Sequence, residues 1–353
     1  MTALARLLAE RINDSGPITV ADYMADCLLH PVHGYYLARE PFGTRGDFTT
    51  APEISQMFGE LLGLALAQAW LDRGAPAPFA LAEPGPGRGT LMADILRATR
   101  AVPGFHAAAR VTLVEASPRL REVQKETLAG QSPVWVDRIE DLPRIPLFLV
   151  ANEFLDALPI RQFQLGPQGW QERLIGVRDG ALTFGLSAAV PQVPDTPAFR
   201  HAPAGAVVED CLPARRAVAE VANRINRHGG VAYWIDYGGW RSQGDTLQAL
   251  RSHLPDDPLA HPGEADLTAH VDFEPLAALS QACAWDTQGA VLLRLGIDAR
   301  ADRLARNLTG AALESHRAAH RRLTHPEEMG SVFKVLAMTS AGAPQPPQPP
   351  GFA

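Results

Sequence analysis

The fold prediction rests on residues 81–91, which read Leu81-Ala82-Glu83-Pro84-Gly85-Pro86-Gly87-Arg88-Gly89-Thr90-Leu91. This segment follows a short apolar run and opens an apolar-periodic one, so it predicts a strand, a glycine-rich turn and the start of a helix. Glycines at every second position let the backbone turn sharply and let a ligand approach the amides at the helix N-terminus. We therefore expect a nucleotide-like ligand at this turn.

Short apolar runs recur along the chain with helical stretches between them. They cover residues 79–83, 111–115, 134–136, 147–151 and 231–236. This alternation indicates an α/β fold with a doubly wound, mostly parallel sheet. Residues 331–338 are predicted as a last strand, at the sheet edge or antiparallel, and 274–284 and 299–308 as helices.

The remaining segments suggest how the chain is divided. Residues 1–75 are predicted to form an N-terminal helical and loop cap, and residues 76–340 the sheet domain. Insertions are expected at about 160–212 and 237–273, the first with a hairpin closed by Asp179-Gly180 and the second loop-rich. The Pro-rich tail, 341–353, is expected to be disordered.

Composition excludes several classes of function. The chain has 353 residues with a net charge of −7 and no Lys/Arg block, so nucleic acid is not expected as a partner. Its three cysteines are far apart and form no CxxC pair, which argues against a disulfide framework or a thiolate zinc site. No run is long and apolar enough for a membrane span, and no secretory signal is evident, so a cytoplasmic location is expected.

The residues around the turn distinguish between possible ligands. Glu83 precedes Gly85 by two positions and places a carboxylate where a ligand ammonium would be stabilised and a pyrophosphate repelled. Thr90 stands where the dinucleotide fingerprint requires its third Gly or Ala, so the match to GxGxxG is imperfect. These features favour S-adenosylmethionine (SAM), held at Gly85, Gly87 and Gly89, over a dinucleotide.

Carboxylates at the ends of the next two strands extend the cofactor prediction. Glu115 ends the second strand and can accept hydrogen bonds from both ribose hydroxyls, a device that NAD enzymes share. Asp137 ends the third strand and can accept from an adenine amino group, or can be an ordinary surface residue at a strand end.

A polar cluster, Asn152 to Pro159, follows the fourth strand at the carboxyl edge where open parallel sheets bind substrates. A helical turn starting at Asn152 would present Glu153 and Asp156 on one face. Paired carboxylates suit a guanidinium, because they orient it and draw its positive charge toward one edge. In the alternative interpretation, Asn152 and Asp156 cap a helix and Glu153 is solvated.

Three further side chains are candidates for the substrate side. His270, flanked by Asp266 and Asp272, can orient a substrate or accept a proton, or can cap a helix. Asp236 ends the fifth strand. Asp47, in a Gly- and Pro-rich loop, can reach a ligand or cap the next helix. The predicted site therefore comprises catalytic Glu153, Asp156 and His270, cofactor-binding Glu83, Gly85, Gly87, Gly89, Glu115 and Asp137, and substrate-side Asp47, Asn152 and Asp236.

With these pieces together, the chain resembles the MidA-type family of SAM-dependent methyltransferases, whose mitochondrial members methylate an arginine in a complex I subunit and assist its assembly. The motifs that carry the resemblance are Gly16-Pro17-Ile18, His33-Gly34-Tyr35-Tyr36, Gly46-Asp47-Phe48-Thr49-Thr50-Ala51-Pro52-Glu53-Ile54-Ser55, Glu83-Pro84-Gly85-Pro86-Gly87-Arg88-Gly89, Asn152-Glu153-Phe154-Leu155-Asp156-Ala157-Leu158-Pro159, Asp236-Tyr237-Gly238, Asp266-Leu267-Thr268-Ala269-His270-Val271-Asp272-Phe273 and Phe333-Lys334-Val335-Leu336. Together they span most of the chain.

The resemblance implies a class I, Rossmann-like methyltransferase sheet with an N-terminal cap and inserted cover segments. It implies that Glu83 to Gly89 and Glu115 hold SAM and that Asn152 to Asp156 lies at the substrate side. The loop 244–249 departs from the family pattern, and the Pro-rich tail is extra. The resemblance further implies a protein substrate, with a peripheral subunit of NADH dehydrogenase as the candidate. A homodimer is the candidate oligomeric state.

Two rival functions stay open at this point. One is a SAM-binding assembly chaperone without catalysis, and the other is an NAD(P)-dependent oxidoreductase on a similar sheet. The location is cytoplasmic for a bacterial-type chain and the mitochondrial matrix for a eukaryotic one.

Overall fold

A computed structural model describes residues 1–38, 49–340 and 348–352. The chain divides into two units. The first, here called the antiparallel-sheet unit, comprises Met1–Thr49, Leu155–Arg216 and Gly239–Pro275. The second, the parallel-sheet unit, comprises Thr50–Phe154, Ala217–Gly238 and Leu276–Ala353. The two predicted insertions thus fold together with the N-terminal residues.

Within the described residues, the helices are α1 (Ala3–Ser15), α2 (Val20–Leu29), α3 (Tyr35–Ala38), α4 (Ala51–Ile54), α5 (Gln56–Asp72), α6 (Thr90–Ala98), α7 (Phe105–Ala108), α8 (Pro118–Thr127), α9 (Pro197–Arg200), α10 (Leu212–His228), α11 (Phe273–Ala277), α12 (Gln288–Arg294), α13 (Ile297–Ala305), α14 (Gly310–Thr324) and α15 (Met329–Val332). The strands are β1 (Ile18–Thr19), β2 (Phe79–Pro84), β3 (Ala109–Val114), β4 (Val134–Val136), β5 (Leu147–Asn152), β6 (Arg161–Gly166), β7 (Gly169–Arg178), β8 (Ala181–Ala189), β9 (Val207–Asp210), β10 (Gly230–Gly239), β11 (Gln248–Arg251), β12 (Leu254–Asp256), β13 (Asp266–Thr268), β14 (Val271–Asp272), β15 (Ala282–Thr287) and β16 (Phe333–Thr339).

The sheet of the parallel-sheet unit has the strand order β15-β16-β10-β5-β2-β3-β4. The pairs from β10 to β4 are parallel, whereas β16 runs antiparallel to both of its neighbours. The chain builds β2, β3 and β4 outward and then returns to place β5 on the other side of β2. The carboxyl ends of β2 and β5 therefore flank the point where the strand order reverses, which is where open α/β sheets bind ligands.

The core of this unit contains β2 and β5, which are buried along their whole length, as expected for central parallel strands. Helix α5 packs closely on α6, and its glycines make the approach possible. A Cβ atom on Gly59 would lie 2.6 Å from Cβ of Asp94, and one on Gly63 would lie 2.8 Å from Cα of Ile95. Helix α5 belongs to this unit, and the cap predicted for residues 1–75 stays a prediction.

In the antiparallel-sheet unit, β1, β7, β6 and β9 lie side by side, and β8 also pairs with β7. The turn between β7 and β8 is the predicted one, because Asp179 and Gly180 have φ values of 53° and 78°, as a two-residue hairpin of this type requires. Helix α2 begins with a capping box in which Thr19 and Asp22 exchange hydrogen bonds.

One prediction for the chain after residue 236 is wrong, and another leaves out short strands. Residues 237–273, expected to be loop-rich, contain β11, β12 and β13, which form a three-stranded sheet of order β12-β11-β13 between irregular segments. The helix predicted over 274–284 ends at Ala277, and Ala282–Thr287 forms β15 with Trp285 opposite Leu336 of β16. The run Ala-Cys-Ala-Trp fits either helical or strand periodicity, and pairing with β16 decides it. The last strand, β16, is antiparallel, as expected, but it is not at the sheet edge, because β15 pairs with its other side.

The last described residues of the Pro-rich tail contact the parallel-sheet unit. Tyr233 Oη donates a hydrogen bond to the carbonyl oxygen of Pro350 at 3.0 Å, and Arg294 Nε donates to that of Gly351 at 2.7 Å. The ring of Phe352 stacks on Tyr233 with a centroid separation of 6.5 Å. Residues 348–352 make these contacts, 341–347 lie outside the described residues, and the disorder expected for 341–353 stays a prediction. Across the described ranges, no helix combines the length and apolar character that crossing a bilayer requires.

Candidate functional site

The glycine turn has the geometry that its sequence predicts. Strand β2 ends at Pro84, and α6 begins at Thr90 with Gly89 as its N-cap. Gly85, Gly87 and Gly89 have φ values of 62°, 53° and 83°, which non-glycine residues rarely adopt. A Cβ atom on Gly85 would also lie only 2.9 Å from Cδ2 of Phe154. All three glycines are therefore required by their backbone conformation, and Gly85 is also required by close packing.

Glu83 supplies a carboxylate beside this turn, and the side chain is only 3% exposed. The Met92 amide donates to the carboxylate, while Oε2 is buried with no hydrogen-bond partner among the described residues. Burial raises the pKa of Glu83 to about 8. An unpaired buried acceptor is costly, and a ligand ammonium would provide both a donor and a compensating charge. The site therefore fits a ligand with an amino-acid group.

Glu115 is buried just beyond β3, where burial raises the pKa of its carboxyl. Its Oε1 accepts the Ser117 amide at 2.7 Å, and its Oε2 accepts Nε2 of Gln124 at 3.1 Å. Gln124 also donates to the Gly87 carbonyl at 2.8 Å and accepts from Nε1 of Trp135 at 2.7 Å. This fully buried glutamine joins the turn, Glu115 and β4. The sequence gives no signal for it beyond its place in α8.

Asp137, predicted to bind adenine, lies beyond β4 with a side chain that is 78% exposed. Arg121 pairs with its carboxylate at 2.6 Å and also donates to the Glu115 carbonyl. The adenine contact of Asp137 stays a prediction.

The acceptor-side cluster differs from its prediction. No helical turn starts at Asn152, which ends β5, and Glu153 has a φ of 51°. The Glu153 amide donates to the carbonyl of Ile235 at 2.9 Å and so continues the pairing with β10 beyond the end of β5. Glu153 Oε1 accepts Nδ2 of Asn152 at 2.9 Å and the Ala51 amide at 3.2 Å. Burial raises the pKa of this half-buried carboxyl to about 7.

Glu153 lies close to the glycine turn, because the next residue, Phe154, packs against Gly85. On the other side of β5, the fully buried Asp236 lies near the carboxyl end of β10 and accepts the amide of Tyr237 at 3.0 Å. Adjacent strands β10, β5, β2 and β3 thus bring predicted site residues to one sheet edge.

The other predicted residues lie in the antiparallel-sheet unit or outside the described residues. Asp156 is buried there, and its carbonyl oxygen accepts the Ala269 amide at 3.0 Å. Because no helical turn starts at Asn152, Asp156 and Glu153 do not share a helix face. His270 is exposed, and its amide donates to Oγ1 of Thr246 at 2.9 Å. The catalytic roles of Asp156 and His270 stay predictions. Asp47 lies outside the described residues.

Three features define the class of protein: the strand order of the sheet, the glycine turn, and the carboxylates of Glu83 and Glu115 at the ends of adjacent strands. This is a class I SAM-dependent methyltransferase fold, and Glu83 Oε2 and the left-handed glycines are the features of the chain that fit the cofactor. When bound, SAM supplies an electrophilic methyl group on a positively charged sulfur.

The chain belongs to the family described as "Putative S-adenosyl-L-methionine-dependent methyltransferase", which matches residues 61–291. "Protein arginine methyltransferase NDUFAF7 homolog, mitochondrial" of Drosophila melanogaster is 37% identical over 372 residues, covering 95% of this chain and 84% of that protein. The human "Protein arginine methyltransferase NDUFAF7, mitochondrial" is 34% identical and covers 96% of this chain and 83% of its own length.

A solved structure agrees with these relatives. A Burkholderia thailandensis protein crystallised with S-adenosyl-homocysteine superposes with a TM-score of 0.82 at 30% identity, covering 96% of this chain and 92% of that one. The predicted family, fold class, methyltransferase activity and SAM cofactor are confirmed.

Proposed function

We propose that this methyltransferase acts on an arginine nitrogen of a protein, and that its substrate is a peripheral subunit of NADH dehydrogenase on the way to complex I. Glu153 carries the proposal. It is a half-buried carboxyl with a pKa of about 7, next to the residue that packs on the glycine turn. The names of relatives at 34–37% identity support arginine as the acceptor.

On the cofactor side, each residue has a distinct task. Glu83 holds the ammonium group, the turn amides approach the ligand closely, and Glu115 accepts from the ribose hydroxyls. Gln124 maintains this arrangement because it binds both Glu115 and Gly87. Asp137 is proposed as the acceptor for the adenine amino group.

On the acceptor side, Glu153 Oε1 accepts from two donors, Asn152 and Ala51, and we assign Oε2 to accept from a guanidinium. A cation at this position lowers the pKa of Glu153 from about 7 and keeps the carboxylate ionised. The carboxylate then draws the positive charge to one edge of the guanidinium and leaves lone-pair character on the reacting nitrogen. Because arginine stays protonated, with a pKa above about 12, positioning contributes more than a strong base.

The test compares Glu153→Gln with Glu122→Gln, an exposed carboxylate on α8, in labelling assays with the large peripheral subunit of NADH dehydrogenase. We expect Glu153→Gln to bind SAM normally in calorimetry and to lose methyl transfer about 100-fold, whereas Glu122→Gln stays active. Mass spectrometry of cells with and without the protein should show a lost methyl-arginine.

The alternatives give different results. If Glu153→Gln loses labelling but still binds the partner and restores complex I assembly, the role in assembly is that of a chaperone. Heat on binding NAD(P) with none on binding SAM would favour the oxidoreductase. If no methylated arginine disappears from any protein, arginine is not the acceptor.

We place the protein where such a subunit is assembled, in the cytoplasm of a bacterium or the mitochondrial matrix of a eukaryote. The names of its relatives include the word mitochondrial, which supports the second location for a eukaryotic chain. Cell fractionation tests the location, and light scattering tests the homodimer.

A further inference from the structure

Helix α4, a single turn, contacts both the proposed acceptor carboxylate and the helix that follows the glycine turn. The amide of Ala51, its first residue, donates to Glu153 Oε1 at 3.2 Å. Two residues later, Glu53 Oε1 accepts the hydroxyl of Thr90 at 2.5 Å. Thr90 is the first residue of α6, directly after Gly89.

Helix α4 couples these two contacts, because a movement of one end of its single turn moves the other end. The carbonyl oxygen of Thr50 accepts the amides of Glu53 at 2.9 Å and Ile54 at 3.2 Å, so the backbone of α4 is closed by its own hydrogen bonds. Ala51 and Pro52 are buried, which limits sliding of the turn. The short bond between a hydroxyl and a carboxylate is of the strong, charge-assisted kind. A displaced Glu53 therefore displaces the Ala51 amide.

We propose that Glu53 is a positioning residue that, through Thr90, holds the Ala51 amide against Glu153 and so fixes the acceptor carboxylate beside the cofactor turn. This inference rests on the proposed role of Glu153. The sequence motif around Glu53 gives no such role, because Glu53 acts on Glu153 only through the three-dimensional contacts of α4. In the structure, the Ala51 amide also lowers the pKa of Glu153, against the larger effect of burial.

The test is Thr90→Val, which removes the hydroxyl without changing charge or shape. Thr90→Ser keeps the hydroxyl. Thr127→Val is the matched control, because the Thr127 hydroxyl donates to the Val123 carbonyl within α8. The titration of Glu153 is followed by carbon-13 NMR and assigned by comparison with Glu153→Gln. Thr90→Val should raise the titration midpoint of Glu153 by about one pH unit and lower kcat at pH 7 about tenfold.

In the same experiment, the affinity for S-adenosyl-homocysteine should change less than about threefold, because Thr90 is not proposed to bind the ligand. Thr90→Ser and Thr127→Val should resemble the wild type. Glu53→Gln also removes a charge, so it is compared in the wild-type and Thr90→Val backgrounds. If Glu53 and Thr90 interact directly, Glu53→Gln should change the Glu153 titration midpoint less in the Thr90→Val background than in the wild type.

An unchanged Glu153 midpoint in Thr90→Val, or additive effects of the two substitutions, would overturn the inference. The inference would also be overturned if Thr90→Val weakened S-adenosyl-homocysteine binding enough to account for its whole loss of activity. The NMR titration requires no turnover, so a shifted midpoint in a protein that methylates no arginine contradicts the proposed function alone. Arginine methylation without the shift contradicts the role of Glu53 alone.

Discussion

Glu83 combines two properties that a purely structural residue would not retain together. Its carboxyl is buried with a pKa of about 8, and one of its oxygens has no partner among the described residues. Burial of a neutral carboxyl with an unmet acceptor costs stability, and this cost is removed when a cation binds. The residue is therefore suited to a ligand ammonium.

Glu83→Gln should separate stability from binding. The folded pKa is raised above the ordinary value of 4.5, so the stabilisation linked to this proton is complete below about pH 4.5 and is lost as pH rises toward 8. Glutamine cannot ionise, so the variant should be more stable than the wild type at pH 8, by about 1–3 kcal/mol, and similar at pH 5. Urea unfolding at both pH values measures this difference.

The same variant should bind SAM about 100-fold more weakly, because the ammonium loses its charged partner. Glu122→Gln, at an exposed position of α8, should leave both properties unchanged. Calorimetry that shows full SAM affinity in Glu83→Gln would exclude the proposed contact with the ammonium.

At the residue scale, sequence reasoning worked where backbone conformation follows from residue type. The glycines specify the turn, and Glu83 and Glu115 follow from strand ends. The pairing of Glu153 with Asp156 was wrong because it assumed helical spacing, whereas Glu153 adopts a positive φ. Nothing in the local sequence marks that conformation, since a hydrogen bond to Ile235 of a distant strand maintains it.

At the scale of elements, the contact of α5 with α6 depends on Gly63. A methyl group at this position would lie 2.8 Å from the backbone Cα of Ile95, which cannot move without shifting α6. Gly63→Ala should therefore destabilise the protein by about 1–3 kcal/mol, despite the higher helix propensity of alanine. Gly176→Ala is the control, because its Cβ would meet nothing closer than 4.0 Å. Equal urea midpoints for the two variants would contradict this view of the packing.

The central strands were predictable, because β2 and β5 are continuous apolar runs bounded by turns. Strand β15 was not, because its short apolar run fits two periodicities and the partner strand β16 begins about 50 residues later in the chain. The sheet β12-β11-β13 was missed for a related reason, since its strands have three or four residues each and depend on pairing.

At the scale of the whole molecule, raised pKa values govern how stability depends on pH. Burial raises the pKa to about 8 for Glu83, to about 7 for Glu153 and Asp272, and to about 6 for Asp94. These groups ionise more readily in the unfolded chain, so between about pH 5 and 8 the folded protein binds more protons. His106, whose pKa burial lowers, acts in the opposite direction but is a single group.

The ligand-free protein should therefore lose thermal stability as pH rises from about 5.5 to 8, and its net charge of −7 adds repulsion in the same direction. Saturating S-adenosyl-homocysteine should make the fall of stability with pH less steep, by the equivalent of about one bound proton. Its ammonium lowers the pKa of Glu83, so the ligand-bound folded protein no longer takes up a proton there. Scanning calorimetry at constant ionic strength measures both slopes. In Glu83→Gln the ligand should leave the slope unchanged, since no titrating carboxyl remains there. A melting temperature that rises over this pH range, or a ligand effect on the slope that persists in Glu83→Gln, would show that other groups control the stability and that the ammonium does not bind at Glu83.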